Sequence, residues 1–430
     1  MQVKMNYGKR GILLDFPDNW GVTVMEKTAM PVLPDPADAV LKALANPVMS
    51  KPLAEEAAGH RTACILICDI TRPVPNSIIL PPLVKELMTA GIKPENITIL
   101  VATGLHRPNE GDELRELVGS DWVLSTVKVV NHFARNDADH VYLGETSRGV
   151  PVKLDRRLVE ADVKIATGLV EPHFMAGYSG GRKVVAPGVA HKDTITVFHT
   201  ARFLEHPQSA NCVLEGNPLH EELTQIVRML GRMLAVNTVI DDKRNLSHVT
   251  FGEIEASHLA AIEYMRRYAE IPVARKYKTV ITSGGGYPLD KTYYQTVKGM
   301  VGAMGLLDEG GDIVIFSECS EGMGSKEYVE AQRRFTDLGT ERFLESLLPK
   351  PQASIDEWQT EMQIKPMRIG KIHLFAEGLG EEDRLITGVS HHDVGQAPDD
   401  FIRSIVERSG KASIAVIPEG PYVIPRYSPE

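Results

Sequence analysis

Apolar and polar residues alternate in blocks along residues 62–134, and the blocks predict strands and helices in turn. The run TACILICD (62–69) is short and rich in apolar and β-branched residues, which is typical of a buried strand. Apolar residues then recur at helical spacing until Gly91, where we expect the helix to end: Ile79, Leu80, Leu83, Val84, Leu87 and Met88. The blocks that follow predict a strand, a short helix and two further strands: NITILVA (96–102), DELRELVG (112–119), VKVVNHF (127–133) and DVKIATG (162–168). Strands alternating with helices predict βαβ units and a parallel sheet.

A second block of the same kind follows an amphipathic helix, ASHLAAIEYMRRYAE. Strand patterns return in four stretches: KTVITSGGGYPLD, GDIVIFSECSEG, GKIHLFAEGL and KASIAVIPEG. The sequence therefore predicts two α/β domains with mainly parallel sheets, residues 1–270 and 271–430, with the active site in a cleft between them. One alternative stays open, in which the final thirty residues pack back onto the first domain.

Composition narrows the class of protein. A chain of 430 residues is too long for one ordinary core, which agrees with two domains. The formal charge of −10 and the lack of a basic run argue against a nucleic-acid partner. The first residues lack the apolar core of a signal peptide, and no window has eighteen consecutive apolar residues, so we expect a cytoplasmic protein without a membrane partner. Four cysteines do not make a disulfide framework and fit a reducing compartment.

Three polar loops follow predicted strands of the first domain: DITRPVPN, TGLHRPNEG and TGLVEPHFMAGYSGGRK. Ligands of open α/β sheets bind where loops leave the carboxyl ends of the strands, so these loops should lie together. Two of them begin with TGL and follow an alanine, so that ATGL occurs twice, and each then presents a histidine, His106 or His173. We expect these two histidines to face one crevice.

The loop GYSGGRK (177–183) is rich in glycine and carries two cations. It is not a Walker A motif, because Val184 stands where Ser or Thr is required. Its glycines can present backbone N–H groups to an anion, with Arg182 or Lys183 nearby, while the alternative is a tight turn with solvated cations. No GxGxxG motif joins a strand to a helix, which argues against an ordinary NAD dehydrogenase.

His199 lies in DTITVFHTARFL (193–204), which predicts one helix capped by Asp193. None of the three histidines has the spacing of a closed zinc site. A bound metal would therefore take one or two ligands from the protein and the others from elsewhere.

Polar side chains also gather on a predicted helix of the second domain. In YPLDKTYYQTVKGM, helical spacing makes Tyr294, Gln295 and Lys298 neighbours, which suits a ligand with a carboxylate and a hydroxyl group. Trp358, in SIDEWQTEM, is a further candidate wall of this pocket. The alternative is a surface helix of mixed polarity.

Several stretches together resemble the nickel-pincer lactate racemase family. The most specific is the long run within EPHFMAGYSGGRKVVAPG (171–188). The shorter matches appear in the order of the family, and Trp358 is a further match: DITRPVPN (69–76), TGLHRP (103–108), FHT (198–200) and YYQTVKGM (293–300). The resemblance thus spans most of the chain.

The resemblance implies a cofactor and a role for each matching residue. The implied cofactor is a nickel ion in a pyridinium-3,5-bisthiocarboxylic acid mononucleotide, and by motif match His199 would be the protein's nickel ligand. Lys183 would lie against one thioacid arm, and a covalent thioamide at this lysine is left open. His106 and His173 are the implied acid/base pair. Residues around the substrate are Asp69 (supporting Arg72), Arg72, Tyr294, Gln295, Lys298 and Trp358, and the loop that suits the cofactor phosphate holds Ser179, Gly180, Gly181 and Arg182.

The activity implied is racemisation or C2-epimerisation of a 2-hydroxy acid by reversible hydride transfer through a 2-keto acid. We expect a lactate-like substrate, with an aldonate such as gluconate as the rival, and cofactor-biosynthesis proteins as partners. Two alternatives belong to other classes. One is a non-catalytic protein that binds an anion or nucleotide. The other is a zinc hydrolase built on His106, His173 and His199.

Overall fold

The computed structural model of the protein describes residues 1–428 and shows the mixed α/β architecture that the sequence predicts. Its strands are β1 (Gln2–Met5), β2 (Ile12–Asp15), β3 (Val22–Val24), β4 (Ala63–Cys68), β5 (Ile97–Ala102), β6 (Lys128–Asn131), β7 (His140–Glu145), β8 (Pro151–Asp155), β9 (Val163–Leu169), β10 (Pro172–His173), β11 (Gly177–Tyr178), β12 (Leu234–Ile240), β13 (Leu246–Glu253), β14 (Glu270–Val273), β15 (Tyr277–Ser283), β16 (Leu307–Phe316), β17 (Lys371–Phe375), β18 (Ser390–His391), β19 (Ile414–Ile417) and β20 (Ile424–Tyr427).

The helices lie between these strands. They are α1 (Pro36–Ala45), α2 (Leu53–Ala57), α3 (Asn76–Thr89), α4 (Gly111–Val118), α5 (Asp121–Thr126), α6 (Arg156–Val159), α7 (Arg182–Val185), α8 (Lys192–Phe198), α9 (Ala201–Leu204), α10 (Pro218–Met229), α11 (Ile254–Ala269), α12 (Tyr293–Ala303), α13 (Lys326–Leu338), α14 (Thr340–Leu347), α15 (Glu357–Met367), α16 (Glu381–Ile386) and α17 (Pro398–Ser409). Within residues 1–428, no helix has the length and apolar character needed to cross a membrane.

The chain packs into two compact units, and neither is a continuous stretch of sequence. The first unit comprises Ala29–Phe198 and Val213–Arg267. The second unit comprises Met1–Thr28, His199–Cys212 and the described residues from Tyr268 onward. The sequence places a boundary at residue 270, beside the last junction between the units. The hydrophobic pattern gives no sign that residues 1–28 and 199–212 join the second unit.

The first unit is built on a six-stranded sheet in the order β13-β12-β9-β4-β5-β6, with only β13 antiparallel to its neighbour. Strand β4 lies at the centre, and Leu66 pairs with Leu100 of β5 on one side and with Ala166 of β9 on the other. The predicted helix is confirmed as α3, whose buried face packs on the core of this sheet, and Gly91 follows it with a φ of +101°. The chain runs from β4 to β5 and β6 on one side, and later to β9, β12 and β13 on the other side. Such a change of direction leaves a crevice at the carboxyl ends of β4 and its neighbours β5 and β9.

The second unit has a six-stranded sheet that is parallel throughout, in the order β18-β17-β16-β15-β19-β3. Strand β15 is central, with β16 and β19 on its two sides, and the chain leaves it toward α12. Helix α12 approaches this strand end closely, since a Cβ on Gly299 would lie 2.2 Å from the carbonyl oxygen of Ser283. Both final strands belong to this unit, because β19 pairs with β15 and β3, and β20 pairs with β14.

Candidate active site

Parallel pairing of β4 with β5 brings Asp69 and His106 together at the crevice of the first unit. Asp69 directly follows β4, and its Oδ2 lies 2.6 Å from Nδ1 of His106, in the loop after β5. Asp69 is buried, whereas the His106 side chain is half exposed. Burial alone would raise the pKa of Asp69, but His106, a hydrogen bond from Thr71 and the charge of Arg72 together hold it below its usual value. Asp69 is therefore an anion, and Nδ1 of His106 carries the proton between them.

The Asp69–His106 contact leaves Nε2 of His106 as the ring nitrogen that can take a proton, since the neutral imidazole has one donor and one acceptor. The sequence assigned Asp69 to the support of Arg72. In the structure the side-chain hydrogen bonds of Asp69 go to His106 and Thr71, and Arg72 acts on it through charge. This is the arrangement of a base oriented by a carboxylate.

Arg72 forms an ion pair with Glu171, the second residue after β9. The Glu171 side chain is almost fully buried, and that of Arg72 is about one quarter exposed. A guanidinium has five N–H donors, and in this ion pair Nη1 of Arg72 donates to Oε1 of Glu171. Sequence analysis gave Glu171 no role, because 99 residues separate it from Arg72 and no local pattern signals the pair.

His173 ends the short strand β10, which pairs with β11 in a hairpin at the carboxyl end of β9. Its Nδ1 accepts hydrogen bonds from the backbone N–H groups of Met175 and Ala176, both at 3.2 Å. The ring is buried and lies beside that of Phe174, with the centroids 5.1 Å apart. His106 and His173 thus follow the two strands that flank β4, and their meeting in one crevice stays a prediction.

The glycine-rich loop forms hydrogen bonds with other residues of the first unit. The Ser179 hydroxyl donates to the carbonyl of Leu169, and the N–H of Gly181 donates to Oδ1 of Asn237. Gly180 has a φ of +78°, and a Cβ there would lie 2.8 Å from the Val170 side chain, so close packing requires glycine. The Ser179 hydroxyl and the Gly181 N–H thus have partners within the protein. The role of this loop in phosphate binding stays a prediction.

Arg182 is buried in the first unit and faces α11. One of its Nη atoms lies 3.2 Å from Nδ1 of His258, and the other donates to the carbonyl of Ala176 at 2.8 Å. Its Nε is buried and has no hydrogen-bond partner within residues 1–428. Burial lowers the pKa of Arg182 to about 9, which the charge of Glu255 only partly opposes. The structure thus gives Arg182 a place in the packing of this loop.

Lys183 follows Arg182 in the chain and is partly buried. Removal from water lowers the pKa of its ammonium group to about 7, and the charges of Arg72 and Arg182 act in the same direction. Much of this lysine is therefore a neutral amine near neutral pH, the form that acts as a nucleophile.

His199 belongs to the second unit, and the prediction of one helix over residues 193–204 is wrong. Helix α8 ends at Phe198, Thr200 is extended with a φ of −73° and a ψ of 157°, and α9 begins at Ala201. Asp193 lies in the first turn of α8, where it pairs with Lys153. His199 therefore lies in the break between two short helices, which turns its ring toward Trp358, with the centroids 4.5 Å apart.

Helix α12 of the second unit carries the polar residues Tyr294, Gln295 and Lys298. The indole N–H of Trp358 donates to the Tyr294 hydroxyl at 3.1 Å. Burial, helped by the charge of Asp356, raises the pKa of Tyr294 well above its usual value, so this hydroxyl stays protonated. Oε1 of Gln295 is buried and has no hydrogen-bond partner in the described part of the chain. A buried acceptor of this kind suits a ligand hydroxyl, and Lys298 lies one turn further along α12.

No group of three or more His, Cys, Asp or Glu side chains among residues 1–428 is arranged to hold a metal ion. The zinc alternative requires three such ligands together and receives no support from the structure. The residues do fit a metal that arrives inside a cofactor. His199 is a buried imidazole at an interrupted helix, and Lys183 is a partly buried amine whose lowered pKa suits reaction with a thioacid.

The chain matches the models of two protein domains. Residues 7–211 match the lactate racemase N-terminal domain, and residues 273–424 match the lactate racemase C-terminal domain. A lactate racemase of Thermoanaerobacterium thermosaccharolyticum is 32% identical over 431 aligned positions that cover 99% of both chains. A lactate racemase of Lactiplantibacillus plantarum is 32% identical over 391 positions that cover 90% of both.

Solved structures agree with the sequence matches. The lactate racemase apoprotein of T. thermosaccharolyticum superposes with a TM-score of 0.89 at 30% identity, covering 99% of this chain and all of the other. A protein from Thermotoga maritima shares the fold at 18% identity, with a TM-score of 0.70 over 92% of this chain and 98% of its own. The class is thus that of two-domain α/β racemases. The chain belongs to the lactate racemase family, and its resemblance to that family is confirmed.

Proposed function

We propose that this protein inverts the C2 centre of a 2-hydroxy acid, with lactate or a close analogue as substrate. Family membership supports a racemase. The observation that carries the proposal is the Asp69–His106 pair, because the carboxylate fixes Nδ1 and leaves Nε2 as a base at the crevice of the first unit. A hydroxyl group bound within reach of Nε2 would lose its proton to this base.

The chemistry favours oxidation at C2 over removal of the Cα proton. A carbanion beside a carboxylate would place two negative charges close together, whereas a 2-keto acid avoids this. The proposed cofactor is the nickel-pincer nucleotide, which when bound supplies the centre that takes hydride from Cα and returns it. Lys183 and His199 are the residues proposed to hold it, and the cofactor-biosynthesis proteins are its proposed source.

The chain's own groups bind and orient the substrate. Arg72 and Lys298 supply positive charge for the carboxylate, and a planar guanidinium suits both of its oxygens. The orphaned Oε1 of Gln295 and the protonated hydroxyl of Tyr294 are the proposed partners of further polar groups of the substrate. A cleft between the two domains stays a prediction.

The decisive experiment is reconstitution with the nickel-pincer nucleotide, followed by a chiral assay over a panel of 2-hydroxy acids. The panel contains both enantiomers of lactate and malate, one aromatic 2-hydroxy acid, and gluconate. Inversion of the small acids supports the proposal, and inversion of gluconate alone would favour the aldonate epimerase. Stoichiometric cofactor binding without inversion of any compound would contradict the proposal in favour of a non-catalytic binding protein.

A further inference from the structure

His106 and His173 have opposite hydrogen-bond environments at the same ring atom. Nδ1 of His106 faces the carboxylate of Asp69 and must donate. Nδ1 of His173 faces two backbone N–H groups, those of Met175 and Ala176, and must accept. Because a neutral imidazole has one N–H and one bare nitrogen, the two rings should carry their protons on different atoms.

The peptides that face His173 are themselves held by buried side chains. Nδ2 of Asn217, a fully buried residue, donates to the carbonyl of Met175 at 2.9 Å, and Arg182 donates to the carbonyl of Ala176 at 2.8 Å. Met175 and Ala176 thus offer their N–H groups to His173 and their carbonyl groups to Asn217 and Arg182. We call Asn217 and Arg182 the clamp.

Asn217 and Arg182 are fixed in turn. Oδ1 of Asn217 caps α10 by accepting from the N–H groups of Leu219 and His220, so this asparagine cannot rotate without losing the cap. Arg182 contacts Nδ1 of His258, and the other ring nitrogen of His258 lies 2.7 Å from the carbonyl of Ser179. The turn after His173 is therefore tied to both α10 and α11.

We propose that Asn217 and Arg182 are positioning residues that hold His173 with its proton on Nε2, while Asp69 holds His106 with its proton on Nδ1. The resting protein then has one base, Nε2 of His106, and one hydrogen-bond donor, Nε2–H of His173. The assignment of these atoms to a reaction rests on the proposed function. It implies that His106 removes the substrate's hydroxyl proton first, while His173 donates a hydrogen bond to an oxygen of the substrate.

A role for His173 as a base needs a further change. Its Nε2 becomes a bare nitrogen only if the proton moves to Nδ1, and a proton there would oppose the N–H groups of Met175 and Ala176. The turn would have to open for that step. The two histidines are thus inequivalent before any substrate binds.

The test is the ¹⁵N spectrum of the full chain, without cofactor, with only its histidines labelled and at mildly alkaline pH. The His173→Gln and His106→Gln variants assign the two rings by the signals that disappear. We expect the N–H signal at Nε2 for His173 and at Nδ1 for His106, with the bare-nitrogen signal at the other atom of each ring. The same pattern in both rings would overturn the proposal.

The clamp is tested by Asn217→Ser, since serine keeps an N-cap oxygen but loses the donor to Met175. The control is Asn136→Ser, the same exchange at another turn cap of the first unit, without a bond to residues 173–176. We expect mixed signals for His173 in Asn217→Ser and wild-type signals in the control. An unchanged His173 pattern in folded Asn217→Ser, or equal changes in both variants, would refute the clamp. If Asn217→Ser does not fold, Asn217→Asp takes its place, since it also keeps a cap oxygen and loses the Nδ2 donor to Met175, and an unchanged His173 pattern in that variant would refute the clamp.

Activity gives an independent measurement. In reconstituted enzyme, Asn217→Ser should lower kcat by about tenfold, less than the roughly 10²–10⁴-fold that positioned proton transfer contributes. The spectra do not depend on turnover. Expected spectra with no inversion of any substrate would contradict only the proposed function, whereas identical ring patterns in an active racemase would contradict only this inference.

Discussion

The lowered pKa of Lys183 leads to a measurable dependence of stability on pH. The folded chain loses this proton above about pH 7, whereas the unfolded chain holds it up to a pKa of 10.5. Between these values the unfolded state binds more protons, so the unfolding free energy of the wild type should rise with pH. At about 1.4 kcal/mol per pKa unit, the whole effect is at most about 5 kcal/mol.

Lys183→Met removes this charge and keeps a side chain of similar length. At about pH 6 the variant should be more stable than the wild type by about 2–5 kcal/mol, the lower figure allowing for water that reaches this partly buried group. The advantage should shrink as the pH rises and fall below about 1 kcal/mol near pH 10. The chain without cofactor is the correct sample, because a covalent bond at Lys183 would abolish the titration.

The assay is urea denaturation followed by circular dichroism at several pH values between these limits. Lys93→Met, at an exposed position of the same unit, controls for the exchange of lysine for methionine. If the difference in unfolding free energy between the wild type and Lys183→Met stays constant over this pH range, the lysine is not held as a neutral amine in the folded chain. The argument for its nucleophilic role would then fail.

Three further predictions concern the reconstituted enzyme. His106→Ala and His173→Ala should each lower inversion in both directions by about 10²–10⁴-fold with an unchanged circular dichroism spectrum, and full activity in either would exclude that histidine from the chemistry. His199→Ala should fail to retain nickel after reconstitution, as measured by metal analysis, and wild-type nickel content would rule out its role as ligand. An enantiopure substrate with deuterium at Cα should keep the isotope during inversion in ordinary water, as followed by mass spectrometry. Washout in step with inversion would show that the Cα bond breaks as a proton transfer.

The strands and the longer helices could be predicted because local pattern determines them. The apolar run before Asp69 forms the buried strand β4, and the helical spacing from Ile79 to Leu87 forms the buried face of α3. The break at His199 was missed because apolar spacing continues through it, and only the extended backbone of Thr200 separates the two helices. Pattern shows where apolar residues recur, but it does not show where backbone hydrogen bonds stop.

The contacts of the candidate site could not be predicted, because they join distant parts of the chain. The residues of the Arg72–Glu171 pair are 99 positions apart, and those of the contact between Asn217 and the Met175 carbonyl are 42 apart. The sequence could predict only that the site lies in loops at strand ends, since topology alone brings such loops together. The direction of each hydrogen bond, and hence the atom that carries each histidine proton, depends on side chains whose positions only the folded chain defines.

The discontinuous second unit has a consequence for synthesis on the ribosome. Strand β3 is synthesised about 390 residues before its partner β19, with Val22 paired to Ile414. During that interval the early strand has an open edge and no native neighbour, which is a hazard for aggregation. A nascent chain stalled after residue 270 would therefore hold β3 without its native partner strand.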